Sequence, residues 1–138
     1  MAIAQRLQKL RQKLAEKELD AIFISQPENC RYLSGFTGSA GTLLISQDSA
    51  ILATDFRYLE QARGQATNFE ILRIKNQPAE SLVELIAGRG IRKLGFEANH
   101  LCFASYHRLA EKADKQQLQL VPIEGLVDSL RAVKEEEE

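Results

Sequence analysis

Ile3, Leu7, Leu10 and Leu14 recur at helical spacing, with Arg6, Lys9, Arg11 and Lys13 between them. The pattern predicts an amphipathic opening helix whose apolar stripe packs on a sheet and whose basic face meets solvent. A partner-docking helix would show the same stripe, but this one is short for a coiled coil. Residues 21–25 (AIFIS) form an apolar run of strand length, expected to be buried on both faces. Residues 26–40 carry Pro27, Gly35 and Gly38 as punctuation, with Tyr32 and Phe36 among them, and a loop is expected there.

Two apolar runs, 42–45 and 50–53, flank the polar quartet Ser46-Gln47-Asp48-Ser49 and predict an antiparallel hairpin. Thr54-Asp55 starts a helix that Phe56, Leu59 and Ala62 carry to Gly64. Residues 69–74 alternate as a strand, and Pro78 opens a helix that runs to Ala87 and stops at Gly88 and Gly90. Beyond it the pattern predicts a buried strand at 93–96, a helix at 103–113, a strand at 118–123 and a short helix through Arg131. A hairpin inside an otherwise βα-alternating order sets the fold class as α/β. The mixed sheet has about six strands, flanked by about five helices in two or three layers.

At 138 residues and 44% hydrophobic content the chain has room for one core and not for a second domain. Lys plus Arg total 18 against 19 Asp plus Glu, a net charge of -1, which implies no nucleic-acid partner and no anionic membrane surface. Charges recur through the opening segment, and no run has the length of a signal peptide core or a membrane span, so a soluble cytoplasmic protein is expected. Cys30 and Cys102 stand far apart and form no CxxC, which leaves them as free, reduced thiols.

Nucleophilic hydrolysis needs a nucleophile, a base and a group that orients the base. The histidines are His100 and His107, seven positions apart, and no G-x-S-x-G turn accompanies them. Metal catalysis needs converging His, Asp and Glu side chains; no H-E-x-x-H is present, and the acidic run 135–138 has the character of a solvated segment. The glycine-rich stretch from Gly35 to Gly41 leads into a strand and lacks a P-loop lysine, so it makes a poor phosphate cradle. No catalytic or metal-ligating residue is therefore assigned within the chain. Asp55 either caps the following helix or holds the planar guanidinium of Arg57 ready for a carboxylate. Tyr32 and Phe36 either anchor their loop on the core or face a partner.

Three stretches taken in order carry a resemblance: Asn29-Cys-Arg-Tyr-Leu-Ser-Gly-Phe-Thr-Gly-Ser39, Thr54-Asp-Phe-Arg-Tyr-Leu-Glu-Gln-Ala62 and Leu94-Gly-Phe-Glu97. Together they resemble the N-terminal domain of the creatinase, prolidase and aminopeptidase P family. The resemblance implies a ribonuclease H-like α/β domain over residues 1–131, with 132–138 as the start of a linker to a catalytic domain of pita-bread shape. In that family the catalytic domain holds two divalent metal ions, commonly manganese or cobalt, on two Asp, one His and two Glu. The implied activity of the parent protein is that of a Xaa-Pro dipeptidase or Xaa-Pro aminopeptidase, hydrolysing the bond before proline with a metal-activated water.

For this domain the resemblance implies no hydrolysis of its own. It implies a role in pairing subunits and in shaping the substrate entrance, with Tyr32, Phe36, Thr37, Asp55, Arg57 and Tyr58 as the candidate residues. The implied partners are its own C-terminal catalytic domain, a second copy in a homo-oligomer such as a homodimer, and proline-containing peptides. The competing reading is a standalone peptide-binding module without peptidase activity, since the same architecture occurs without catalysis in a histone-chaperone subunit. A small-molecule sensor with the glycine loop as its pocket is a third class.

Overall fold

The computed structural model describes residues 2–38, 40–74 and 90–132. The opening helix α1 (Ile3–Glu16) buries Leu7, Leu10 and Leu14, three of the four stripe residues, against the sheet. Strand β1 (Ala21–Ile24) is buried at every position, as its unbroken apolar run requires. The hairpin strands β2 (Gly41–Ser46) and β3 (Ala50–Thr54) pair in antiparallel register from Gly41 opposite Thr54 to Ile45 opposite Ala50. From α1, Arg11 braces their turn, donating from Nε to Ser46 O at 2.7 Å and from Nη2 to Ser49 O at 3.1 Å.

The stretch 26–40, expected as a loop, contains helix α2 (Pro27–Ser34). Its two punctuating residues are the helix's own boundaries. Pro27 sits at the start, where a backbone N–H has no helical partner to lose, and Gly35 closes the end at φ 81°, a conformation that favours glycine. The helix expected from Thr54-Asp55 begins instead as a 3₁₀ turn at Phe56–Tyr58, capped by Asp55, and becomes helix α3 at Leu59–Gln65. The helix expected between Pro78 and Ala87 lies outside the described residues.

The remaining elements follow the predicted order: β4 (Glu70–Arg73), β5 (Lys93–Glu97), α4 (Phe103–Lys115), β6 (Gln119–Ile123) and α5 (Leu126–Ala132). The strands form one six-stranded mixed sheet in the order β4-β3-β2-β1-β5-β6. Strand β1 pairs parallel to β5 and antiparallel to β2, and β3–β4 and β5–β6 are parallel pairs. Every described strand except β2 therefore points the same way. Proline at Pro122 is accommodated because β6 is an edge strand.

Alternation along the strands divides the core in two. Ile22, Ile24, Leu43, Ile45 and Leu52 face α1, α2, α3 and α5 on one side. Ala21, Phe23, Leu44, Ile51 and Leu94 meet Leu109 and Ala113 of α4 on the other. Helices thus lie on both faces, giving three layers. Because β2 runs against its neighbours, its first residue and the glycine-rich loop before it lie at the end of the sheet where the parallel strands terminate. In open α/β sheets that is the end at which sites are built.

Candidate functional site

Helix α2 and the loop after it place the first candidates. Ser34 Oγ donates to Cys30 O at 2.6 Å and accepts from Phe36 N at 3.1 Å, which turns the chain sharply after Gly35. Phe36 is 2% exposed and belongs to the core, so its ring anchors the loop. The ring also accounts for the next glycine: a Cβ on Gly38 would stand 2.2 Å from Phe36 Cζ. The space on that side of Gly38 is filled by an aromatic side chain.

Asp55 caps the turn after it and also pairs with the Arg57 guanidinium. Its Oδ1 accepts the backbone N–H of Arg57 at 3.0 Å, and its two oxygens take the guanidinium through Nη2 at 2.8 Å and Nε at 3.3 Å. The guanidinium holds the Asp55 carboxyl below its ordinary range, and the carboxylate in turn raises Arg57 above its own. The pair is at the surface, with the Arg57 side chain 62% exposed and Asp55 27%. Arg57 also lies over the Tyr58 ring, 5.3 Å from its centroid.

These two stretches meet. The Phe36 and Tyr58 rings pack edge to face at 6.1 Å, and Thr54 Oγ1 donates to Ala40 O. Thr37 N donates to Gln65 Oε1 at 2.9 Å, while Thr37 Oγ1 is reached by Gln61 Nε2 and Gln65 Nε2, each at 3.1 Å. Thr37, Asp55, Arg57 and Tyr58 thus share one surface at the carboxyl end of the sheet, with Phe36 buried beneath it.

Tyr32 is not part of it. It lies on α2, under the Arg6 guanidinium at 4.3 Å from its ring centroid, and its hydroxyl donates to Leu130 O at 3.3 Å. Beside the loop, a cleft of about 450 Å³ opens between Pro27, Glu28 and Arg31 of α2, Thr37 and Gly38, and Arg131 of α5.

Sequence reasoning missed Gln61 and Gln65, although Gln61 lies within the second quoted stretch and Gln65 follows it one helical turn later on the same face. It also missed Phe56, which is 66% exposed with the Arg73 guanidinium 5.7 Å from its ring centroid. The histidines do not form a helical pair. His100 precedes α4, with Nδ1 3.0 Å from Ser25 Oγ, and His107 Nε2 lies 3.1 Å from Glu111 Oε1. Among the described residues no three His, Cys, Asp or Glu side chains are grouped to hold a metal ion, and no helix is long and apolar enough to cross a membrane.

A family model described as Creatinase/Prolidase N-terminal domain matches residues 6–133. An uncharacterized peptidase, YqhT of Bacillus subtilis, is 38% identical over 133 residues; the match covers 96% of this chain and 37% of that protein. The solved structure of a Xaa-Pro dipeptidase from Bacillus anthracis superposes with a TM-score of 0.90 at 34% identity, over 99% of this chain and 38% of the other. The N-terminal domain of the cytoplasmic peptidase PepQ from Mycobacterium tuberculosis superposes with a TM-score of 0.86 at 39% identity, over 92% of this chain and 98% of the other. The chain therefore spans well under half of the longer relatives and nearly all of a domain solved by itself.

Proposed function

This chain belongs to the creatinase/prolidase N-terminal domain family, and we propose that it serves as the non-catalytic N-terminal domain of a metal-dependent Xaa-Pro peptidase. In this reading the parent hydrolyses the bond preceding proline, as a dipeptidase or aminopeptidase P, in the cytoplasm. The domain contributes subunit pairing and the shape of the substrate entrance. The observation that carries the reading is the joining of the glycine loop to Asp55, Arg57 and Tyr58 on one exposed surface at the carboxyl end of the sheet.

A surface of this kind suits peptide recognition. Asp55 takes the Nε/Nη2 edge of the Arg57 fork, which fixes the guanidinium in orientation, and its exposed remainder can meet a peptide carboxylate or a neighbouring subunit. The pair of divalent ions, manganese or cobalt, supplies the activated water and belongs to the catalytic portion. In this reading the domain's contribution is steric and electrostatic.

Two measurements test the reading. The 138-residue chain supplied with Mn²⁺ and a Xaa-Pro dipeptide should release no proline. In the longer protein that carries the domain, Arg57→Ala should raise KM or shift the oligomeric state while leaving bound metal unchanged. Hydrolysis by the short chain would overturn the non-catalytic assignment. Unchanged KM together with unchanged assembly would overturn the entrance role.

A further inference from the structure

Two of the three quoted stretches meet at a place that the entrance surface does not use. Asn29 opens the first and Glu97 closes the third. Glu97 is 8% exposed at the end of β5, and its Oε1 accepts the backbone N–H groups of Ser25 at 2.7 Å and Gln26 at 2.8 Å. It thereby closes the crevice between the carboxyl ends of the parallel strands β1 and β5. Asn29 is 1% exposed, and its Nδ2 donates to Glu97 Oε2 at 2.5 Å and to Asp128 Oδ1 at 2.9 Å, with Gln26 Oε1 at 3.2 Å. One amide nitrogen thus stands between two carboxylates carried by different elements.

The chemistry fixes how that amide is turned. If its oxygen faced Glu97 and Asp128, only acceptors would meet there, so the NH₂ group must point at the carboxylates. The cost of that orientation is visible, because Asn29 Oδ1 is buried with no hydrogen-bond partner among the described residues. A buried acceptor left unpaired is tolerated where the opposite face of the same group makes bonds that matter more. Asp128, in the first turn of α5, shares its Oδ1 with Arg131 only at 3.5 Å, so Asn29 is its shorter contact.

We infer that Asn29 is a joint that fastens the last helix, α5, to the sheet by holding the Glu97 and Asp128 carboxylates on one NH₂ group. Without the amide the two carboxylates face each other, and α5 loses one of its polar ties. The apolar seat of Leu126 and Val127 and the Tyr32–Leu130 bond remain. Asn29 is thus a positioning residue for α5, and the inference does not depend on the peptidase reading.

Backbone amide exchange on the 138-residue chain tests it. In Asn29→Ala, Ser129 and Leu130 should lose roughly tenfold or more of their protection, the scale set by losing hydrogen bonds to charged groups, while β1 and β5 lose less. Adding Asp128→Ala should make the Asn29→Ala loss much smaller, because one of the two repelling charges is gone. Asp128→Ala alone keeps the Asn29–Glu97 contact and should loosen α5 without touching the sheet. It also serves if Asn29→Ala fails to fold. Equal loss of protection in α5 and the sheet, strict additivity in the double variant, or unchanged α5 protection in Asp128→Ala would each overturn the inference.

Discussion

Cys30 and Cys102 show how far two copies of one side chain can be driven apart. Cys30 is buried on α2, its Sγ set toward Ile24 O at 3.6 Å and Gly41 O at 3.5 Å, and burial, with the nearby Glu97 and Glu28 carboxylates, pushes its thiol up to about 12. Cys102 is exposed at the start of α4, where the Ser105 side chain and then the Ser105 backbone N–H hold its thiol below the ordinary value. Since the thiolate is the reacting form, a disulfide reagent at pH 8 should titrate one thiol, Cys102, in the native chain, and reach Cys30 only on unfolding. Two thiols reacting at one rate would show that α2 opens freely. Spacing placed both cysteines out of disulfide and zinc patterns, but their difference depends on packing that no local pattern contains. The same holds for Phe36, whose loop position left anchor and interface equally open until the core around it was known.

At the scale of elements, the start of β5 rests on Asp20, whose Oδ2 accepts the backbone N–H groups of Arg92 and Lys93, each at 2.9 Å. The Lys93 N–H and then the Arg92 N–H hold the carboxyl below its ordinary range, against the opposing effect of burial. A carboxyl lowered by folding adds stability that is fully present above its unfolded pKa, near ~3.9, and is lost as pH falls through the folded value. Asp20→Asn should therefore lower the urea midpoint at pH 7, and its gap to the wild type should close below about pH 4. A gap that stays constant into acid would mean that the charge adds nothing to the bond. The strands were legible because apolar runs of strand length leave little choice. Helix α2 was not, because Pro and Gly punctuate loops as well, although the order Pro first and Gly last is the signature of a short helix. The 3₁₀ start at Phe56–Tyr58 was hidden for a different reason: a side-chain cap at Asp55 is compatible with either helix type.

Across the whole molecule, the direction of the strands separates two kinds of polar contact. At the amino ends of the parallel strands lie the hairpin turn and Asp20, and Arg11 there spends its guanidinium on two backbone carbonyls. At the carboxyl ends lie the glycine loop and the Asp55–Arg57 pair, where Arg57 is bound to a side chain and otherwise open to solvent. Removing Arg11 takes the guanidinium from two turn carbonyls, of which Ser49 O keeps the Ser46 N–H at 2.9 Å, so Arg11→Ala should cost roughly 1–2 kcal/mol in urea unfolding. Removing Arg57 deletes a solvent-screened ion pair, so Arg57→Ala should leave the urea midpoint where it is. The comparison decides what the exposed pair is for. If Arg57→Ala costs as much as Arg11→Ala, the pair is a structural tie and its place at the carboxyl end carries no functional meaning. If stability is untouched while KM or assembly of the longer protein changes, the fork is held by Asp55 for something outside the domain.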